Sequence, residues 1–219
     1  MIRYAEEQYG LRPVFLTINH RSDGAAADMV LRVLGQESGG LCPDLFGLIR
    51  GKEVCYENLY QAFSRYCGAL PAPLTLCGLS LGGVLALQYG IEHSDRVGAL
   101  VLIGTQFVMP KGLLRLQNAM FRLMPGSMFS ASGLSKADTM RLSRSMMALD
   151  FRGCLARLRC PVLAVCGTGD HANQKAARQL CRLVPQGELA LIPGAGHEVN
   201  TDAPEALAEV LVRFLRPLP

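Results

Sequence analysis

The sequence predicts an α/β fold built on a mostly parallel, doubly wound sheet, and three observations predict it. Short apolar, β-rich runs recur along the chain, at 14–18 (VFLTI), 74–77, 98–103, 162–166 and 188–192. Helical patterns separate them, as parallel strands require, and the strands read as near-continuous hydrophobic runs because helices would cover both faces. Glycine-rich turns follow three of the runs directly, where an open α/β sheet presents its ligand-binding edge.

The remaining elements follow in order. Residues 25–37 (AAADMVLRVLGQE) read as a helix, and a short strand around Leu41 and Cys42 ends at Pro43. Residues 55–67 form a helix with Leu59, Phe63 and Tyr66 on one face. Residues 82–91, 174–184 and 203–215 complete the helices, and Ile2–Ala5 offers a further edge strand. Ser135 and Asp138 have the spacing of a helix start, and Asp202 with Glu205 reads as a second capping pair.

Bulk properties narrow the class. With 219 residues, 50% of them hydrophobic and 18% charged, the chain buries one substantial core. It is read as a single domain over residues 1–219. The net charge of +4 is mild, and tryptophan and dense basic runs are absent, so nucleic acid is not the expected partner. No apolar run is long enough to span a bilayer. The N-terminal MIRYAEEQYG carries charge where a signal peptide would be apolar, so a cytoplasmic location is expected. The eight cysteines contain no CxxC pair and are expected to be reduced, with Cys77 and Cys166 acting as small hydrophobes in strands.

Nearly sixty residues between strands 98–103 and 162–166 carry no strand signal. A structureless loop of that length is rare, so this segment is expected to hold two or three helices. Leu113, Leu116, Met120 and Leu123 fall on one helical face, and Lys111, Arg115, Asn118 and Arg122 on the other. Seven of the nine methionines lie between 109 and 147, together with six Lys or Arg and one acid, Asp138. Met120 and Met124 are candidate substrate contacts, since methionine suits adaptable apolar surfaces. The cationic row is a candidate for attracting an anionic substrate group.

The chemistry-bearing motif is Gly78-Leu79-Ser80-Leu81-Gly82. A serine between glycines at a strand-to-helix turn is held exposed in a strained conformation, and the flanking positions must be small. The following helix aims its amides and partial positive charge at the serine. A serine needs a base, and the base an orienting acid. His197, in IPGAGHEVN, follows the last strand; His93 and His171 are expected at the surface. Asp170, in CGTGD, follows strand 162–166 and also suits a helix cap. CGTGDHA fits G-x-G-x-x-A as well, but Asp170 would then sit among diphosphate charges.

Nucleophile, acid and histidine in that order, each after a strand, resemble the α/β-hydrolase superfamily of esterase-like enzymes. GLSLGG resembles its nucleophile elbow, CGTGD its acid loop, GAGHEVN its histidine loop and CPDLFG its PDxxG segment. The resemblance covers about residues 12–104 and 150–216, and 105–149 falls where the family carries a helical cap. It implies Ser80 as nucleophile, His197 as base and Asp170 as its orienter. The backbone amides of Leu81 and Arg21 are then candidates for the oxyanion hole, with His20 beside the substrate. The chain departs from the family at Asn19-His20-Arg21, where arginine replaces the usual glycine of a His-Gly pair.

The implied function is hydrolysis of a small, largely apolar carboxylic ester or thioester through an acyl-enzyme, with no metal or organic cofactor. Two alternatives stay open: other chemistry on the same residues, such as carbon–carbon bond cleavage or perhydrolysis, and a non-catalytic binding protein with an idle oxyanion hole. Monomer and homodimer are equally open.

Overall fold

Among the described residues, five parallel strands order the fold. The computed structural model describes residues 12–16, 41–132 and 134–215. Strands β1 (Arg12–Leu16), β2 (Leu74–Leu79), β3 (Val97–Ile103), β4 (Val162–Gly167) and β5 (Gly187–Ile192) pair in chain order. β1 begins two residues before the apolar run that predicts it, because Arg12 and Pro13 register against Leu74 and Thr75 of β2. The expected helix 25–37, the edge strand Ile2–Ala5, His20 and Arg21 lie outside the described residues. The strand expected at Leu41 is reduced to one bridge residue.

Period-two alternation divides the sheet's side chains between two cores. Leu76, Leu100, Leu102 and Ala164 face one core, which α1 (Tyr56–Gly68), α2 (Leu81–Glu92) and α5 (His171–Leu183) cover. Cys77, Val101, Ile103 and Val165 face the other, closed by α7 (Pro204–Leu215). Helix α2 is apolar nearly all round, as expected of a helix packed on the central strands and buried along most of its length. In α1, Leu59 and Phe63 are fully buried as their spacing predicts.

Burial has a measurable consequence. It pushes the Cys67 and Cys77 thiols up to about 12 and raises Tyr56 and Tyr60 above the usual tyrosine range. The folded state therefore holds its protons more tightly than the unfolded chain. This stability is fully present below the ordinary thiol value of 9.0 and is lost as pH rises towards 12. Urea titrations under reducing conditions are expected to give a lower midpoint at about pH 10.5 than at about pH 8. An unchanged midpoint would contradict the assignment.

Between β3 and β4 run α3 (Lys111–Leu123), a 3₁₀ turn (Gly126–Ser132) and α4 (Lys136–Met146). An antiparallel bridge between Val108 and Asp150 closes the base of this segment. Ser135 caps α4 as its spacing predicts, accepting from the Asp138 amide at 3.1 Å. The orientation of α3 corrects the sequence expectation. Of the row Leu113, Leu116, Met120 and Leu123, the last three face outward, with Leu116 60% and Leu123 89% exposed, while Asn118 is 5% exposed. Asn118 Nδ2 donates to Ser143 Oγ of α4 at 3.0 Å, and Phe121 packs edge-on against Phe129. Those contacts turn Asn118 inward while Lys111, Arg115 and Arg122 stay exposed, and the apolar periodicity alone could not reveal them.

Candidate active site

Ser80 stands between β2 and α2 with φ +54°, the only non-glycine residue with positive φ among those described. Such a conformation is strained for any L side chain and persists only where its surroundings impose it. The Ser80 amide donates to Ile103 O at 2.8 Å, and the first intrahelical bond of α2 runs from Val84 N–H to Ser80 O. The amides of Leu81, Gly82 and Gly83 precede that bond and are the orphan donors of a helix N-terminus. A Cβ on Gly78 would come within 2.3 Å of the Gly82 carbonyl carbon. One on Gly83 would come within 1.9 Å of Thr105 Oγ1. Gly78 is thus required as the motif predicts, and Gly83 joins it.

Asp170 follows β4 and caps α5, which begins at His171 rather than near 174 for that reason. Its carboxylate is buried, and its Oδ2 lies 2.7 Å from His197 Nδ1. A carboxylate only accepts, so Nδ1 is the donor in this contact and Nε2 is left without a partner from Asp170. Capping and imidazole contact coexist in one side chain.

The loops carrying Asp170 and His197 are laced together. Gly169 N–H donates to Ala195 O at 2.8 Å, Thr168 N–H to Ile192 O at 2.9 Å, and Gly194 N–H to Thr168 Oγ1 at 2.9 Å. A Cβ on Gly167 would meet Ala195 O and Gly196 O at 2.2 Å, so only glycine allows this approach. Asp202 does not open the last helix as its pairing with Glu205 suggests. It ends the short α6 (Val199–Asp202), and its carboxylate accepts from Gly196 N–H at 2.7 Å, bracing the histidine loop. Helix α7 starts instead at Pro204, whose missing N–H costs nothing at a first helical position.

Ser80, Asp170 and His197 line one cavity of about 530 Å³. Ser80 Oγ makes no hydrogen bond among the described residues; contacts of this kind often tighten only when substrate binds. The walls are largely apolar, contributed by Phe46, Met109, Leu114, Phe121, Leu142 and Met146. Met120 and Met124, expected to touch substrate, are absent from the lining; the Asn118 anchor turns Leu114, Gln117 and Phe121 inward instead. Phe46 is positioned by the PDLFG turn, where Asp44 Oδ1 accepts from Gly47 N–H at 2.9 Å. His171 is exposed, and His93 is half-buried against the Tyr89 ring at the end of α2.

Three residues escape the sequence reading. Gly104, with φ +55°, sits so close to His197 that a Cβ would lie 2.9 Å from Cε1. Asn173 Nδ2 donates to both oxygens of Asp170, and Gln106 Nε2 donates to Asn173 Oδ1 at 2.7 Å. Asn173 stands three residues after a helix cap, a spacing that signals side-chain contact with the cap residue. No sequence signal leads to Gln106, 67 positions away.

A strained serine at a strand–helix turn, facing a cavity it shares with an Asp-paired histidine on a parallel sheet, defines the α/β-hydrolase class. The model of the alpha/beta hydrolase family matches residues 23–210. The chain belongs to that family. It is 31% identical over 192 residues to the polyketide synthase ThaQ of Burkholderia thailandensis, covering 72% of this chain and 9% of that protein. It is 25% identical over 232 residues to the biotin biosynthesis bifunctional protein BioHC of Teredinibacter turnerae, covering 85% of this chain and 41% of that protein. The chain thus spans less than half the length of either relative. A thermophilic esterase from Thermogutta terrifontis shares the fold with a TM-score of 0.74 at 21% identity, over 94% of this chain and 90% of that one. Among the described residues, no helix is long and apolar enough to cross a membrane.

Proposed function

We propose that the chain is a serine hydrolase cleaving a carboxylic ester or thioester with a small, largely apolar acyl group. The observation that carries this reading is the 2.7 Å contact of Asp170 with His197 on the same cavity as strained Ser80. In the proposed reaction His197 Nε2 takes the Ser80 proton and Oγ attacks the carbonyl carbon. The Leu81 amide, at the start of α2, donates to the oxyanion, and Arg21 is the candidate for the second amide. The imidazolium returns its proton to the leaving alcohol or thiol. A water, deprotonated by His197, then attacks the acyl-serine, and the imidazolium returns that proton to Ser80 Oγ as the acyl–oxygen bond breaks and the acid is released. Asp170 holds the imidazole tautomer and stabilises its cation. The apolar walls would receive the acyl chain, and residues 105–149 would act as a cap over it.

Quenching the reaction with a short-chain nitrophenyl ester early in turnover is expected to leave an acyl group on the peptide containing Ser80. Turnover without any such adduct, at quench times shorter than one cycle, would remove the acyl-enzyme.

The exposed cations of α3 supply a second expectation. Arg115→Glu combined with Arg122→Glu is expected to raise KM several-fold for an anionic ester and to leave a neutral ester unchanged. Equal changes for both substrates would remove electrostatic steering.

A further inference from the structure

We infer that Asn173 and Gln106 are positioning residues that aim the Asp170 carboxylate at His197, resting on the hydrolase reading of the same site. Among the described residues, every donor to that carboxylate belongs to Asn173 or His197. The Asn173 amide N–H reaches Oδ1 at 3.3 Å, a long bond that tolerates rotation. Asn173 Nδ2 instead spans both oxygens, at 2.9 Å from Oδ1 and 2.8 Å from Oδ2. Gripping both oxygens fixes the carboxylate's rotation, and with it the direction of the lone pair that His197 Nδ1–H meets.

The amide of Asn173 is itself oriented. A flipped amide would turn its oxygen on the carboxylate, oxygen against oxygen. Gln106 Nε2 prevents this by donating to Asn173 Oδ1 at 2.7 Å. Gln106 cannot flip in turn, because the same Nε2 also donates to the main-chain carbonyl of Ala172 at 3.1 Å. The order of dependence therefore runs from a backbone carbonyl through two amides to the carboxylate and the imidazole. Asn173 Nδ2 also lies 3.2 Å from His197 Nδ1. With Nδ1 protonated this is a contact between two donors, so the ring is held by the carboxylate and not by the amide. Gln106, just after β3, and Asn173, in the first turn of α5, thereby couple two strand ends on which the site is built.

The test is a double-mutant cycle with Gln106→Ala, Asn173→Ala and the pair, read on a neutral nitrophenyl ester. Asn173→Ala is expected to lower kcat about tenfold, inside the ~100-fold that a 1 Å misplacement costs, with KM unchanged. Gln106→Ala is expected to lower kcat by less, and the pair to match Asn173→Ala alone, because Gln106 acts only through Asn173. Nitrogen chemical shifts of the neutral His197 ring supply a readout independent of turnover: wild type in the Nδ1–H tautomer, Asn173→Ala with a larger Nε2–H share. Both residues line the cavity, so a direct substrate contact would instead raise KM, which would overturn the positioning role. Unchanged kcat, multiplying losses or an unchanged tautomer would overturn it too while leaving the hydrolase reading standing. A wild type that neither turns over nor labels at Ser80 would sink the hydrolase reading, and the tautomer comparison would then decide the positioning role by itself.

Discussion

Asp170→Asn is expected to lower kcat about 10⁴-fold, the scale seen when a triad carboxylate becomes an amide. That is about 5.5 kcal/mol of transition-state stabilisation. The reason is the direction of one proton. In the proposed reaction the carboxylate, 2.7 Å from His197 Nδ1, accepts its proton and so leaves Nε2 free to act as base. An amide at 170 can donate to Nδ1, which favours the Nε2–H tautomer and blocks proton removal from Ser80. The substitution also separates the two duties of this side chain. Asparagine caps helices about as well as aspartate, so the α5 cap is retained and stability is expected to change by less than about 1 kcal/mol. Steady-state kinetics and a urea titration on the same sample check both halves. A loss of kcat below about tenfold, with the protein folded, would show that Asp170 serves α5 as a cap and nothing more.

Gly78→Ala is expected to damage both the fold and the site. The new Cβ would lie 2.3 Å from Gly82 C, 2.4 Å from Gly82 O and 2.4 Å from Gly83 N. All three are backbone atoms, so no rotamer change relieves the clash. Either β2 or the start of α2 must move, and both are buried against the central strands. Destabilisation of about 3 kcal/mol or more is expected, above the usual range for overpacking because only backbone can yield. Activity should fall further than stability, since the same shift displaces Ser80 and the Leu81 amide. Urea midpoints and the rate of Ser80 labelling measure the two effects. A variant of wild-type stability and activity would mean that the elbow is looser than its geometry implies.

The legible and illegible parts of the molecule separate along physical lines. Strand and helix periodicity exposed the five described strands and the helices packed on them within a few residues, because burial on both sheet faces forces long apolar runs. The three loops were legible because glycine is dictated by close backbone approach, as at Gly78 against α2 and Gly167 against Ala195 O. What escaped depends on contacts between distant segments. The roll of α3 is set by Asn118 meeting Ser143, 25 positions away. The Gln106–Asn173 bond joins two strand ends, and Gly104 looks like any turn glycine until His197 is beside it. Asp202 was legible as a carboxylate at a helix boundary, but its partner, Gly196, lies on the loop before it rather than in the helix after it.

The most direct test of the central claim is intact mass after incubation with a fluorophosphonate, with Ser80→Ala treated in parallel. The account predicts one adduct on the wild-type chain and none on the variant, since only an activated serine displaces fluoride. A folded wild type that takes up no adduct, or a variant that takes up as much as wild type, would contradict Ser80 as the nucleophile.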